Sequence, residues 1–270
     1  MPVSAPVPVL AAGLLLAAFA APLAGPLAAQ EPAGDAPLPL PVDRTLPVAM
    51  DEGTWMSLDV SPDGERIVFD HLGNLFLLPM EGGEATQLTS GLAFDAQPRF
   101  SPGGERIVFT SDRSGGQNIW IMQVDGSDTV QVSRGEANRA ESPEWTPDGR
   151  YIVASMGGFR GGGGQPNLHL YHVEGGSGVA LTEDEGEKNL GAAFGDSGRW
   201  IWYARRQGDW SYNAPMPQYQ LAVYDRETGQ SYGRTSRWGS GFRPTLSPDG
   251  RWLVYGTRHD ADTRLRIRDL

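Results

Sequence analysis

Four clusters in this sequence have residue types suited to chemistry. Ser197 lies in Gly195-Asp196-Ser197-Gly198, a small-residue setting like that of a serine nucleophile, and Gly161 to Gly164 form a run of the kind that cradles phosphate. Glu183-Asp184-Glu185-Gly186-Glu187 gathers carboxylates as a calcium loop does, and His169 and His172 sit three apart. Each fails on its own terms. No His or Asp elsewhere has a context that would complete a triad with Ser197, and no Gly-x-Ser-x-Gly elbow occurs. The glycine run is followed by neither a helix signal nor a Lys-Ser or Lys-Thr pair, which makes it a flexible loop. The acidic run lacks the alternating ligand spacing of a calcium loop and reads as a solvated turn. Histidines three apart on a strand point to opposite faces, and no His-x-His is present. Cysteine is absent, which excludes disulfides, thiolate zinc sites and cysteine nucleophiles. The residues therefore assign no catalytic, cofactor-binding or metal-ligating position in this chain.

The elements around these clusters explain them. Ser61-Pro62-Asp63-Gly64 precedes Arg66-Ile67-Val68-Phe69, and the unit returns at Ser101, Thr146 and Ser247, with Gly195-Asp196-Ser197-Gly198 as a degenerate copy before Trp200-Ile201-Trp202-Tyr203. The closing glycines, 64, 104, 149, 198 and 250, lie 40, 45, 49 and 52 residues apart, a period that marks a propeller or solenoid. Proline presets the first central residue of each turn and glycine accepts the positive φ that closes it. A strand enters the turn and a nearly continuous apolar strand leaves it, as expected of a sheet packed on both faces. A third strand follows, such as Ile119-Trp120-Ile121-Met122, then a short fourth, clearest in Ala85 to Thr89 and Val130 to Ser133. Ser197 thus occupies a hairpin turn. The fold class is all-β, a β-propeller of four-stranded antiparallel blades.

The string Phe100-Ser101-Pro102, with Arg106 to Gly116 and Asn118-Ile119-Trp120, resembles the WD40-like propeller repeat of the TolB family. Beyond the repeat, Asp51 to Met56, Gly208 to Asn213 and Pro217 to Asp225 resemble the propeller at the N-terminus of exported amidohydrolases. That resemblance implies a metal-dependent hydrolase domain, with a divalent cation, beyond this chain. It also implies a propeller used for docking or substrate gating, whose partner is that domain or an envelope protein. A stand-alone TolB-type scaffold and the propeller of a serine peptidase are the alternatives.

Two irregularities refine the expectation. From the end of the second strand to its counterpart on the third, Phe69 to Phe76 spans 7 residues, Phe109 to Trp120 11, Ala154 to His169 15, Tyr203 to Ala222 19, and Tyr255 to Arg266 11. Insertions at one place in a repeat emerge on one face. Arg113, Phe159, Arg160, Trp210, Tyr212 and Asn213 lie on these insertions and are the candidate docking face. The last copy ends as a third strand, Leu265 to Leu270, so about four and a half blades are expected, with the ring incomplete at the C-terminus. The early strand at Leu46 to Ala49 stands where a closing fourth strand belongs.

Val9 to Ala20 is an apolar segment of signal-peptide length, followed by small residues up to Ala29. The expected organisation is a signal peptide at 1–29, a Pro- and Ala-rich linker at 30–43 and the propeller at 44–270. The destination is the periplasm or the cell exterior, with no membrane span after cleavage. A net charge of -11 argues against nucleic acid as a partner.

Overall fold

The computed structural model describes residues 44, 46, 49–158, 166–183, 187–195, 197–206, 218–236, 239–259 and 262–270. All its strands fall in the compact unit formed by residues 37–270. The first sheet holds β1 (Leu58–Val60), β2 (Arg66–His71), β3 (Asn74–Pro79) and β4 (Thr86–Gln87). The second holds β5 (Asp95–Phe100), β6 (Arg106–Ser111), β7 (Asn118–Gln123) and β8 (Val130–Gln131). The third is built from β9 (Asn138–Trp145), β10 (Tyr151–Gly158), β11 (Asn167–His172) and β12 (Val179–Ala180). The fourth comprises β13 (Lys188–Phe194), β14 (Trp200–Arg206), β15 (Tyr219–Asp225) and β16 (Gln230–Gly233). The fifth has β17 (Phe242–Leu246), β18 (Trp252–His259) and β19 (Asp262–Asp269). Neighbouring strands pair antiparallel in chain order throughout.

The molecule therefore has five blades, and the expectation of about four and a half with a ring broken off inside the last is corrected. The fifth copy makes a sheet of its own, and Leu253 and Tyr255 of β18 give it a packed interface with the fourth blade. Counting strands undervalued it, because a blade is fixed by the packing of its inner strands. Among the described residues, no strand of the first sheet touches a strand of the fifth. Of the strand expected at Leu46 to Ala49, Pro47 and Val48 lie outside the described residues.

The turns behave as their chemistry demands. In the first, Ser61 Oγ accepts from the Arg66 N–H at 2.9 Å, Asp63 Oδ1 from the Glu65 N–H at 3.0 Å, and the Ser61 carbonyl from the Gly64 N–H at 2.8 Å. Gly64 sits at φ 75°, which favours glycine. Gly195 lacks the hydroxyl of the other copies, yet its carbonyl still accepts from the Gly198 N–H at 3.2 Å. The turn thus survives the loss of its motif.

Four hydrophobic layers lie between the five blades. Val68 and Leu75 meet Phe109, Trp120 and Met122 between the first two. Ile119 and Ile121 meet Trp145 and Ile152 in the next gap. Val153 and Leu168 then meet Ile201 and Tyr203, and Leu221 and Val223 meet Leu253 and Tyr255. First strands of successive sheets touch one another, β1 to β5 to β9 to β13 to β17, while each fourth strand touches only its own third strand. The first strands consequently line the inside and the fourth strands the rim.

Candidate functional site

The inner strands carry an unusual backbone feature. β5, β9, β13 and β17 each contain a register shift, where Gln97, Ser142, Gly191 and Arg243 take φ of 57°, 52°, 68° and 49°. Three of these are not glycine, and Pro98, Pro143 and Pro244 follow them, an arrangement disfavoured at both residues. Hydrogen bonds from the preceding blade hold the kinks at Gln97, Ser142 and Gly191. Asp70 accepts from the Ser57 N–H at 2.9 Å and from the Gln97 N–H at 2.7 Å, and the Gln97 side chain accepts from the Ser142 N–H. Ser155 Oγ accepts from the Gly191 N–H at 3.3 Å.

Two residues after the kinks of β5 and β9, and at the equivalent position of β1, side chains of the first three blades form an ionic cluster. Asp59 on β1, Arg99 on β5 and Glu144 on β9 hold the same position in successive copies, two residues ahead of the Ser or Thr that opens each turn. Arg99 Nε lies 3.5 Å from Glu144 Oε2, and its Nη1 donates to the Leu58 carbonyl at 2.9 Å. Asp59 Oδ2 accepts from the Phe100 N–H at 2.8 Å, and Trp145 Nε1 donates to the Arg99 carbonyl at 3.1 Å. Burial pushes Glu144 up to about 7, with Asp59 adding to the rise and Arg99 opposing it. Burial raises Asp59 as well, against Arg99 and two backbone donors. Two carboxyls thus compete for one guanidinium, and the cluster can take up and release a proton near neutrality. The equivalent residues in the fourth and fifth blades are Ala193 and Thr245, which cannot extend it.

The sequence did not single out this cluster. Its members are 40 and 45 residues apart and each is ordinary alone; the available signal was the column they form when the copies are aligned on their turns.

Of the candidate docking residues, the described one is Arg113, and it is committed to the interior of its blade. Its Nη2 donates to both oxygens of Asp95, at 2.9 and 2.8 Å, and its Nε to Ser111 Oγ at 3.0 Å. The guanidinium stacks over Phe109 and Trp120 at 5.3 and 5.1 Å from the ring centres. Only 18% of the side chain is exposed, and 1% of Asp95. Phe159, Arg160, Trp210, Tyr212 and Asn213 lie outside the described residues.

His169 and His172 flank Leu170 and Tyr171 on β11; burial lowers the pKa of His169, and His172 Nδ1 lies 3.7 Å from Glu174. His71 Nε2 contacts Met50 Sδ at 3.2 Å. Arg199 grips Asp225 at 2.9 and 2.8 Å and holds that carboxyl down at about 2. Among the described residues, no group of three or more His, Asp or Glu side chains is placed to hold a metal ion.

Residues 57–220, more than half of the chain, match the tricorn protease N-terminal β-propeller domain. Tricorn protease homolog 1 of Streptomyces coelicolor is 29% identical over 97 residues, 36% of this chain and 9% of that protein. The Tol-Pal system protein TolB of Wolinella succinogenes is 34% identical over 110 residues, 38% of this chain and 25% of its own. TolB of Helicobacter hepaticus is 29% identical over 161 residues, 57% of this chain and 38% of its own. The chain therefore spans well under half the length of these relatives. The crystal structure of TolB from Acinetobacter baumannii superimposes with a TM-score of 0.63 at 24% identity, covering 79% of this chain and 51% of that one. A puromycin-hydrolyzing peptidase of Mycobacterium tuberculosis gives 0.59 at 20% identity, covering 79% and 36%. These structural likenesses speak for the fold. Taken with the five-bladed architecture and the inter-blade packing, the match over residues 57–220 shows that the chain belongs to the family of tricorn protease N-terminal β-propeller domains.

Proposed function

We propose that this chain is the non-catalytic, exported propeller module of a larger protein, used to dock a partner domain or to control access to it. The observation that carries the reading is the family match itself. In tricorn protease homolog 1 the matching stretch is 9% of the protein, so a propeller of this family works as one part among others. The ionic cluster of Asp59, Arg99 and Glu144 supports this role. It ties three blades together along the inner strands with acid–base groups.

The companion domain we favour is an amidohydrolase-like, metal-dependent hydrolase, on the strength of the strings at 51–56, 208–213 and 217–225. Any divalent cation would belong to that domain. A peptidase companion is the second reading, favoured by the tricorn family match and by the peptidase superposition. A TolB-type scaffold for envelope proteins is the third. Export follows from the segment at 9–29, with mature protein expected to begin at Gln30.

The test uses the purified chain and intact cells. Ester, amide and peptide substrates, with and without added zinc, manganese or magnesium, are expected to show no turnover; robust metal-dependent hydrolysis would overturn the non-catalytic reading. Cross-linking in the cell envelope followed by mass spectrometry separates the companions, since an amidohydrolase, a peptidase or a Tol-type envelope protein would be recovered next to the propeller.

A further inference from the structure

Thioether sulfur is a metal ligand as well as an apolar group, and the first blade brings two methionines against one histidine. His71 closes β2 and pairs with Asn74 across the turn Leu72-Gly73, where both turn residues take positive φ, 51° and 79°. A two-residue turn of this kind matches the twist of its hairpin, so the imidazole stands on a rigid support. Residues 50–57 run in ahead of β1 and are fastened beside it. The Asp70 N–H donates to the Ser57 carbonyl at 3.0 Å, and the Asp70 carboxylate accepts from the Ser57 N–H at 2.9 Å. This reciprocal pair joins the neighbours of Met56 and His71 in the chain.

The contacts at the ring are close. Met50 Sδ lies 3.2 Å from His71 Nε2. A Cβ at Gly53 would lie 2.5 Å from Met56 Sδ and 3.0 Å from His71 Nδ1, so the absence of a side chain there is what lets the second thioether and the ring share that space. Between the two methionines Trp55 takes φ of 62°, rare for a bulky residue, and strain of this kind gathers at ligand-binding segments. Met50 and Met56 are 52% and 39% exposed, which leaves both side chains within reach of a solute.

All three donors lack negative charge, and two of them are soft. Metal–nitrogen and metal–sulfur bonds of about 2.0 and 2.3 Å set donors that share an ion about 3–4 Å apart. The Met50 and His71 atoms already meet that spacing, and the unbranched side chain of Met56 can follow. Calcium and magnesium take oxygen ligands, while zinc favours thiolate, imidazole and carboxylate. Among the described residues His71 belongs to no group of three His, Asp or Glu side chains placed to hold such an ion. Thioether combined with imidazole suits Cu(I).

We propose that Met50, Met56 and His71 form a binding site for a soft monovalent cation, Cu(I), held by two thioethers and one imidazole. The site stands on the geometry of the first blade and depends neither on the non-catalytic reading nor on the companion domain.

The probe is Ag(I), a soft monovalent ion that is stable in air, titrated into the full chain with methyl-labelled methionine and followed by NMR. Of the seven methionines, Met50 and Met56 are expected to shift together and to saturate at a single equivalent of ion. Cu(I) itself, added without oxygen against a colorimetric chelator, should bind with a Kd below about 1 μM. Met50→Leu and Met56→Leu keep the side-chain volume and are each expected to weaken Cu(I) binding about tenfold, and His71→Gln about a hundredfold. Gly53→Ala leaves all three ligands in place but fills the space between them, and should weaken binding about tenfold as well. No methyl shift at about 100 μM Ag(I), or shifts spread equally over Met80 and the other methionines, overturns the proposal. Affinity unchanged in the double Met50→Leu, Met56→Leu chain does so too, and leaves the Met50 contact as packing of a thioether on a ring. Displacement of the bound ion by an equal concentration of Zn(II) would refute the choice of a soft cation.

Discussion

Replacing Glu144 by Gln should make the protein more stable above neutrality and leave it nearly unchanged at pH 5. Glu144 titrates near 7 in the folded protein, against an ordinary value of 4.5. Between those values the native state holds a proton that the unfolded chain has released, so stability falls as pH rises through the window. At about 1.4 kcal/mol per pKa unit the ceiling is roughly 3 kcal/mol. With 27% of the side chain still accessible, solvent screening brings the expected loss between pH 5 and 8 to about 1–2 kcal/mol. Glutamine cannot ionise, yet it keeps the oxygen that accepts from the Trp145 N–H at 3.1 Å. Urea unfolding followed by tryptophan fluorescence at pH 5, 6, 7 and 8 measures the effect. His169 works in the opposite sense, because burial lowers its pKa and its contribution grows as pH rises, but it is common to both proteins and cancels in the difference. Asp225 does not interfere either: Arg199 holds it at about 2, so its contribution is complete above the ordinary carboxyl range and is lost only as pH falls through 2. Parallel stability curves for the two proteins from pH 5 to 8 would refute the reasoning.

Arg113→Met should lower stability by about 3–5 kcal/mol, because it leaves the buried Asp95 carboxylate without its cation; thermal unfolding at neutral pH reads this directly. A surface docking role for Arg113 would instead leave the melting temperature almost unmoved. Thr182→Val should cost about 1–2 kcal/mol, since the Leu168 N–H and the Asn167 and Asn189 amides lose their shared hydroxyl, and the same urea titration checks it.

The fold was legible because turn chemistry repeats. Each pair used to measure the growing loop, Phe69 with Phe76, Phe109 with Trp120, Ala154 with His169, Tyr203 with Ala222 and Tyr255 with Arg266, is a registered pair in a β ladder. Ser-Pro-Asp-Gly sets a phase, and everything counted from it inherits the phase. Arg113 shows what a local reading leaves out. Its sequence neighbours Ser111, Ser114 and Gly115 read as a loop, while its partner Asp95 lies 18 residues back at the start of a bulged strand, where no local pattern announces an ion pair. Asp59, Arg99 and Glu144 were hidden because only the angle between blades brings them together.

These cases suggest where to look in such a chain. A repeat imposes a column on every position, and columns that stay apolar, such as Leu75, Ile119, Leu168 and Leu221, are core by construction. Information about function lies where one copy leaves its column. The position of Asp59, Arg99 and Glu144 is charged in the first three blades and reads Ala193 and Thr245 in the last two. A column that carries charge in three copies and small neutral side chains in two is not explained by the packing that all five share. The pH dependence compared between the parent protein and Glu144→Gln reads what that charge does to the fold.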